Sequence, residues 1–470
     1  MIFSTFSFIF LFLPIVWLGY FGLHKFGFHN AAKWFLVASS FVFYAIGSSS
    51  FVLIFMASVA VNYAVGIHLS LWRQNKCHKT AIKLLFAFGL LLNVALLGYY
   101  KYTDFFITNW NILFGSNIAL KHIVLPIGIS FFTFQLIAYL VDSYRGLTSN
   151  YSFLNYLLFI TFFPQLIVGP IVHHGEMVSQ FENKERQNIN WDNMAKGLFV
   201  FSIGISKKIL IADPLTTNAQ YFFNTVHSIT SAVNAWWYSI EYTISYYFDL
   251  SAYADMAIGI GLLFNIIIHQ NFNSPYKARN FQDYWQRWHM TLSRFLGTYI
   301  FRSVYRHGSK WRNYYVATMI TFFVSGFWHG AGWTFGVWGL VNGIFVCTAS
   351  WMKRKNYSFP AIISHLLTLF GIVLTRILFV SKDFNQAVNM FRSLINFKNM
   401  DLYRYTSQIT ENLTIISLIA GCCIIFFAKN TNYIMQNFKP SISKIIQTIF
   451  IAGLAIAFMG RESSFLYFQF

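Results

Sequence analysis

The chain is a succession of long apolar runs separated by short polar intervals. About 20 continuous apolar residues make a transmembrane helix, whereas a membrane-barrel strand alternates over about ten. A window of about 19 residues places the runs at 1–23, 33–48, 51–70, 83–100, 122–141, 153–170, 196–212, 231–265, 314–350, 359–380, 412–428 and 445–460. The 231–265 run is long enough for one span plus a second element, and 314–350 reads as a pair of spans. The expected fold is all-α, a polytopic membrane bundle of about eleven spans in which some runs are partial, re-entrant or interfacial. No linker or repeat divides the chain, so residues 1–470 are expected to form a single integral membrane domain. The polar intervals 173–195 and 382–411 read as exposed loops or interfacial helices.

Composition fits that pattern. Of 470 residues, 56% are hydrophobic and 10% charged, against about 25% charged in a soluble domain. Phe contributes 55 residues and Trp 14, which suits lipid-facing spans and interfacial belts. The net charge of +19 is better explained by the Lys/Arg bias of cytoplasmic loops than by nucleic acid. Three basic loops, Arg73–Lys83, Lys277–Arg312 and Lys353–Lys355, are therefore placed on the cytoplasmic side. The middle one holds eight Lys/Arg against one acid, Asp283. The four cysteines, Cys77, Cys347, Cys422 and Cys423, form no C-x-x-C pair, so neither a disulfide framework nor a zinc site is expected. The first apolar run has no basic segment before it and no small-residue cleavage site, and it reads as a retained span.

Candidate chemistry centres on Phe327-Trp328-His329-Gly330-Ala331-Gly332-Trp333. An ionisable side chain at bilayer depth is costly and marks a functional site by default. Arg312 and Lys353 flank 314–350 on one side of the membrane, so the chain enters and returns between them. Residues 314–328 rise about 22 Å, short of the roughly 30 Å hydrocarbon core, so the glycine turn is expected inside the membrane. Gly330 and Gly332 permit close backbone approach there.

In 281–299, Tyr284, Trp288, Leu292, Phe295 and Tyr299 recur at helical spacing, which predicts an aromatic, basic amphipathic helix at the interface. His289 and Ser293 then share a face. Arg287 and Arg294 either meet an anionic donor or snorkel to headgroups. A neutral imidazole at His289 or His329 can take a hydroxyl proton and return it, or can serve as a structural hydrogen-bonder. Glu241, Asp249 and Asp255 either line an aqueous path or fix helix contacts. His173-His174-Gly175-Glu176 has no further residue at recognised ligand spacing, and no metal is assigned.

Ordered motifs carry a resemblance. They are Leu125–Gln135 (LPIGISFFTFQ), Phe163–Val172 (FPQLIVGPIV), Phe248–Gly259 (FDLSAYADMAIG), Asn271–Tyr276 (NFNSPY), Tyr284–His289 (YWQRWH), Gly326–Gly330 (GFWHG) and the terminal Phe465–Phe470 (FLYFQF). Together they resemble the membrane-bound O-acyltransferases, in the branch of the bacterial alginate and peptidoglycan O-acetyltransferase membrane subunits. The resemblance covers nearly the whole chain. It implies a bundle of about eleven spans around a tunnel, with the family's invariant histidine at His329 and a second functional histidine at His289. Trp285, Arg287, Trp288, Ser293, Arg294, Trp328 and Asn273 become candidate tunnel or substrate-binding residues.

The resemblance also implies a reaction. A thioester donor on the cytoplasmic side, acetyl-CoA or an acyl carrier, delivers its acyl group to the tunnel, and no bound cofactor is expected. His329 acts as general base and His289 orients it or shuttles protons. The chain has no Gly-Asp-Ser nucleophile motif, so a periplasmic SGNH-type partner is expected to finish transfer to a glycan outside a bacterial inner membrane. D-alanyl transfer from a carrier protein is the alternative donor chemistry, and a proton-coupled transporter the alternative class.

Overall fold

Helices supply the regular structure of a computed structural model that describes residues 1–75, 78–148, 151–305, 311–398 and 408–460. Cys77 and the Phe465–Phe470 motif lie outside those residues. Five helical stretches are long and apolar enough to cross a membrane: Phe8–Lys25, His29–Gln74, Lys79–Phe114, Trp333–Arg354 and Ala361–Val380. Asn412–Phe427 and Ile442–Ala457 are shorter apolar helices. Their outward faces carry side chains that water would not tolerate in such number, including Ile112 at 79% and Leu53 at 78% exposure. Against acyl tails that exposure has no cost, while each backbone polar group is satisfied inside its own helix. The protein is a multi-pass membrane protein.

Several expected spans take a different form. The 153–170 run is broken: Phe153–Thr161 ends at Phe162 and the chain restarts as Phe163–Leu166 with Pro164 in its first turn. Proline lacks the N–H and its ring clashes with the preceding turn. This run is apolar because it is protein core, with Phe159, Ile160, Phe162 and Phe163 fully buried. The 122–141 run becomes helical only from Ile129, after Gly128 at φ 75°. The 231–265 run is one 32-residue helix, Ala232–Leu263. In the 173–195 interval, His174–Glu182 is helical and buries His174, Met177, Val178 and Phe181.

The pair within 314–350 also differs from expectation. Its first helix runs Trp311–His329, 19 residues, or about 28 Å. That nearly matches the hydrocarbon core, so helix length gives no reason to place the glycine turn inside the membrane. Two glycines let this helix and its neighbour Trp333–Arg354 lie close. A Cβ on Gly326 would sit 2.3 Å from the Phe335 carbonyl oxygen, and one on Gly339 2.3 Å from that of Phe322. Small residues at such crossings are the usual device where water supplies no driving force.

Contacts divide the chain into two units, Met1–Phe201 with Met256–His269, and Ser202–Asp255 with Gln270–Phe470. In the first, Asn62 and Asn93 exchange amide hydrogen bonds between two spans, at 3.3 and 2.7 Å. Gly197 and Gly259 meet backbone to backbone. In the second, the Trp311–Arg354 hairpin packs with Phe281–Arg287 and Ala361–Val380, and this unit holds the candidate site.

Candidate active site

The 281–299 segment is not one helix. Phe281–Arg287 and Met290–Leu296 are separate, and between them His289 takes φ 45°, ψ 52°. A non-glycine residue in the left-handed region costs about 1–3 kcal/mol and persists only when its surroundings hold it. Asn271 supplies the hold. Its carbonyl oxygen accepts from the Met290 N–H at 2.9 Å, and its side-chain oxygen accepts from the Thr291 N–H at 3.2 Å and hydroxyl at 3.0 Å. His289 and Ser293 therefore do not share one helical face. The Ser293 hydroxyl instead donates back to the carbonyls of Trp285 and Trp288.

The break turns His289 inward. It is 3% exposed, and its Nδ1 is buried with no hydrogen-bond partner among the described residues. Its ring lies 6.2 Å from that of Trp328. His329 ends the Trp311–His329 helix, 4% exposed, its ring 4.8 Å from Trp328, 5.2 Å from Trp338 and 5.2 Å from Phe379. The two histidines thus both make ring contacts with one indole, that of Trp328. Gly330 is required by space. A Cβ there would come within 2.1 Å of the Phe335 ring, which packs on Phe379.

The other candidates scatter by role. Trp285 is buried, with an indole N–H that has no partner among the described residues, and it packs edge-on against Trp338 at 5.8 Å. With Ser293, Gln282, Gln286, Tyr314 and Ser325 it lines a cavity of about 350 Å3. Ser325 stands one helical turn before His329. Neither His289 nor His329 lines this cavity; Trp338 touches the rings of both Trp285 and His329. Arg287 is half-buried and donates to Asp283 at 2.6 Å. Asn273 is engaged with backbone and with Asn430, its N–H donating to the Arg287 carbonyl at 3.0 Å and its side-chain oxygen accepting from Asn430 at 2.7 Å. Arg294 is exposed. Trp288 is 2% exposed and stacks on Tyr246 and Tyr284.

Sequence reasoning overlooked four residues. Asn271 sat in a quoted motif without a role. Trp338 and Phe379 are apolar residues in apolar runs and carry no signal. Arg376, described below, did carry one: it is the one arginine or lysine in the 359–380 run, and an intramembrane charge is a default site candidate.

The carboxylates of the long helix fix helix contacts. Asp249 accepts from Lys208 at 2.6 Å and Lys208 also meets Asp213 at 2.7 Å. Asp255 takes Lys207 at 2.6 Å and the Thr431 hydroxyl at 2.7 Å. Glu241 accepts from the Asn218 amide through both oxygens, at 2.9 and 3.0 Å. The two aspartates are matched to lysines and Glu241 is hydrogen-bonded to a neutral amide, so each buried carboxyl has a polar partner.

In the first unit, Asp142 supplies what the His173-His174 pair lacked in sequence. Its Oδ2 lies 2.8 Å from His173 Nε2 and 3.0 Å from His174 Nε2. Three ligand-type atoms within 4.8 Å of one another make a group able to hold a metal ion. The hydrogen bonding favours another use. The Gly175 N–H donates to His173 Nδ1 at 3.3 Å, which leaves the proton of a neutral His173 on Nε2, aimed at Asp142. His174 Nδ1 meets the Tyr151 hydroxyl at 2.8 Å. Burial pushes the His174 pKa below its ordinary value, against a smaller upward pull from Asp142.

Comparison with known proteins decides the family. The model of the membrane-bound O-acyltransferase family matches residues 68–377. This chain belongs to that family. As a membrane-bound O-acyltransferase it is an enzyme, which sets aside the transporter reading. It is 37% identical to the peptidoglycan O-acetyltransferase of Helicobacter pylori, across 100% of this chain and 98% of the relative. It is 30% identical to the probable alginate O-acetylase AlgI of Pseudomonas aeruginosa, across 91% and 81%. The teichoic acid D-alanyltransferase of Bacillus subtilis is 27% identical, over 53% of this chain and 65% of the relative.

Proposed function

We propose that this acyltransferase takes an acetyl group from cytoplasmic acetyl-CoA and passes it across the bacterial inner membrane toward an extracytoplasmic polysaccharide or peptidoglycan. A periplasmic SGNH-type partner completes the transfer, and residues 1–470 act as one acyltransferase domain. The full-length match to a protein named for peptidoglycan O-acetylation supports acetyl over D-alanyl transfer.

One observation carries the site assignment: His289 and His329, 40 positions apart in sequence, are both buried with their rings against Trp328. The chemistry that follows is general-base acyl transfer. His329 removes the proton of an acceptor hydroxyl as that oxygen attacks the thioester carbonyl. The carbon–oxygen bond forms, the carbon–sulfur bond breaks, and the proton passes from His329 to the departing thiolate. His289 orients this exchange or relays the proton through its open Nδ1. The cavity beside Trp285 and Ser293 suits the thin, partly polar arm of a thioester donor, and Arg294, exposed and next in sequence to Ser293, is available to its anionic head. Reach from the cavity to His329 requires the Trp285–Trp338 pair to swing.

The test uses the purified full chain with acetyl-CoA and a glycan acceptor, reading thiol release. His329→Ala is expected to lose activity by about 100-fold or more. Equal release from variant and wild type rejects the assignment.

A further inference from the structure

Buried arginines are paired with acids as a rule. Arg376 breaks the rule: it is 3% exposed on the Ala361–Val380 helix, and among the described residues no carboxylate lies within 4.0 Å of it. Aromatic faces take the acid's place. The guanidinium carbon lies 4.2 Å from the centroid of Tyr246, 4.7 Å from Trp288 and 5.4 Å from Phe379. One nitrogen donates to the Tyr284 hydroxyl at 3.3 Å. The box is itself ordered, with Trp288 stacked on Tyr246 at 11° and on Tyr284 at 21° between planes.

Two walls of the box border the two candidate histidines. Trp288 directly precedes His289 at the left-handed corner. Phe379 lies 5.2 Å from the His329 ring. Asn271 secures that corner on its C-terminal side, through Met290 and Thr291. Arg376 secures it on the N-terminal side, through Trp288, and reaches the His329 face through the next turn of its own helix. A flat guanidinium can lie along ring faces while donating in its plane, and an ammonium group cannot.

We propose that Arg376 is a positioning residue for the acyl transfer, holding His289 and His329 in mutual register through Trp288 and Phe379. The inference rests on the catalytic reading given above. Its element is the planar stack, so charge alone does not fulfil it.

The test compares wild type with Arg376→Lys and Arg376→Met in the full chain, reading kcat, KM for acetyl-CoA and unfolding temperature. Lys keeps the charge, and Met replaces a buried charge with an apolar chain, a change often tolerated. Both variants are expected to lose kcat by about tenfold or more, with KM changed less than about threefold. In a cycle with His289→Gln, the double variant is expected to lose little more than His289→Gln alone, because residues acting as a unit are not additive. Full kcat in Arg376→Lys, or losses that multiply in the cycle, overturns the proposal. Trp288→Leu removes the ring without touching Arg376 and must reproduce the kcat loss; wild-type kcat there overturns the proposal whatever the folding of the Arg376 variants. An inactive His329→Ala beside a fully active Arg376→Lys sinks this inference alone, whereas an active His329→Ala sinks the catalytic reading.

Discussion

Two histidine pairs in this protein are held by opposite means. His173 and His174 converge on one carboxylate, with Tyr151 and a backbone N–H on their far nitrogens. His289 and His329 pack against rings, and the His289 Nδ1 has no partner among the described residues. His173 and His174 each commit a nitrogen to Asp142, and we read that pair as a strut. His289, positioned by packing, keeps its Nδ1 for a reactant. Burial alone does not tell the two apart, because His174 is 1% and His289 3% exposed. What separates them is what each ring nitrogen touches.

The sharpest way to break this comparison is to release the left-handed corner at His289 without removing an imidazole. Asn271→Ala deletes the side-chain oxygen that receives two hydrogen bonds from Thr291. His289 then loses part of its support in a left-handed conformation. Acyl transfer is expected to fall by about 10- to 100-fold, the scale for misplacing a catalytic group by about an ångström. Unchanged kcat would show that the corner needs no such clamp.

The counterpart experiment, in the first unit, should affect stability instead. Asp142→Ala leaves the Nε2 atoms of His173 and His174 without their shared acceptor. Stability is expected to drop by about 1–3 kcal/mol, read as thermal unfolding in detergent, while kcat per folded molecule holds. A loss of activity in fully folded Asp142→Ala would erase the distinction between strut and catalyst.

The smallest expected effect is on pH. Burial lowers the His174 pKa in the folded state, so below the ordinary imidazole value of about 6.5 the unfolded chain binds the extra proton more readily. The contribution to stability is complete above that value and is lost as pH falls from it toward the lower folded value. Unfolding temperature should decline over that window in wild type, and less steeply in His174→Gln. Equal slopes would remove His174 from the account.

Much of this was legible in the order of residues. Apolar runs predict helices because backbone groups have no other partners in lipid. The FWHG and YWQRWH motifs named both candidate histidines. Legibility failed where an apolar run had two physical explanations. Residues 153–170 and the Phe379 wall are apolar because they pack against protein, and hydropathy cannot distinguish a protein neighbour from a lipid one. It failed again at His289, where aromatic spacing suited a continuous helix and only long-range bonds from Asn271 decided for a break.

The sequence by itself determined an all-helical membrane acyltransferase and which imidazoles to examine, because lipid imposes a strict rule on chain segments and the motifs are local. The tertiary structure decided which histidine nitrogens are satisfied, which lysine meets which aspartate, and that a buried arginine is boxed by rings. Those facts depend on residues brought together from distant positions, and no periodicity along the chain encodes them.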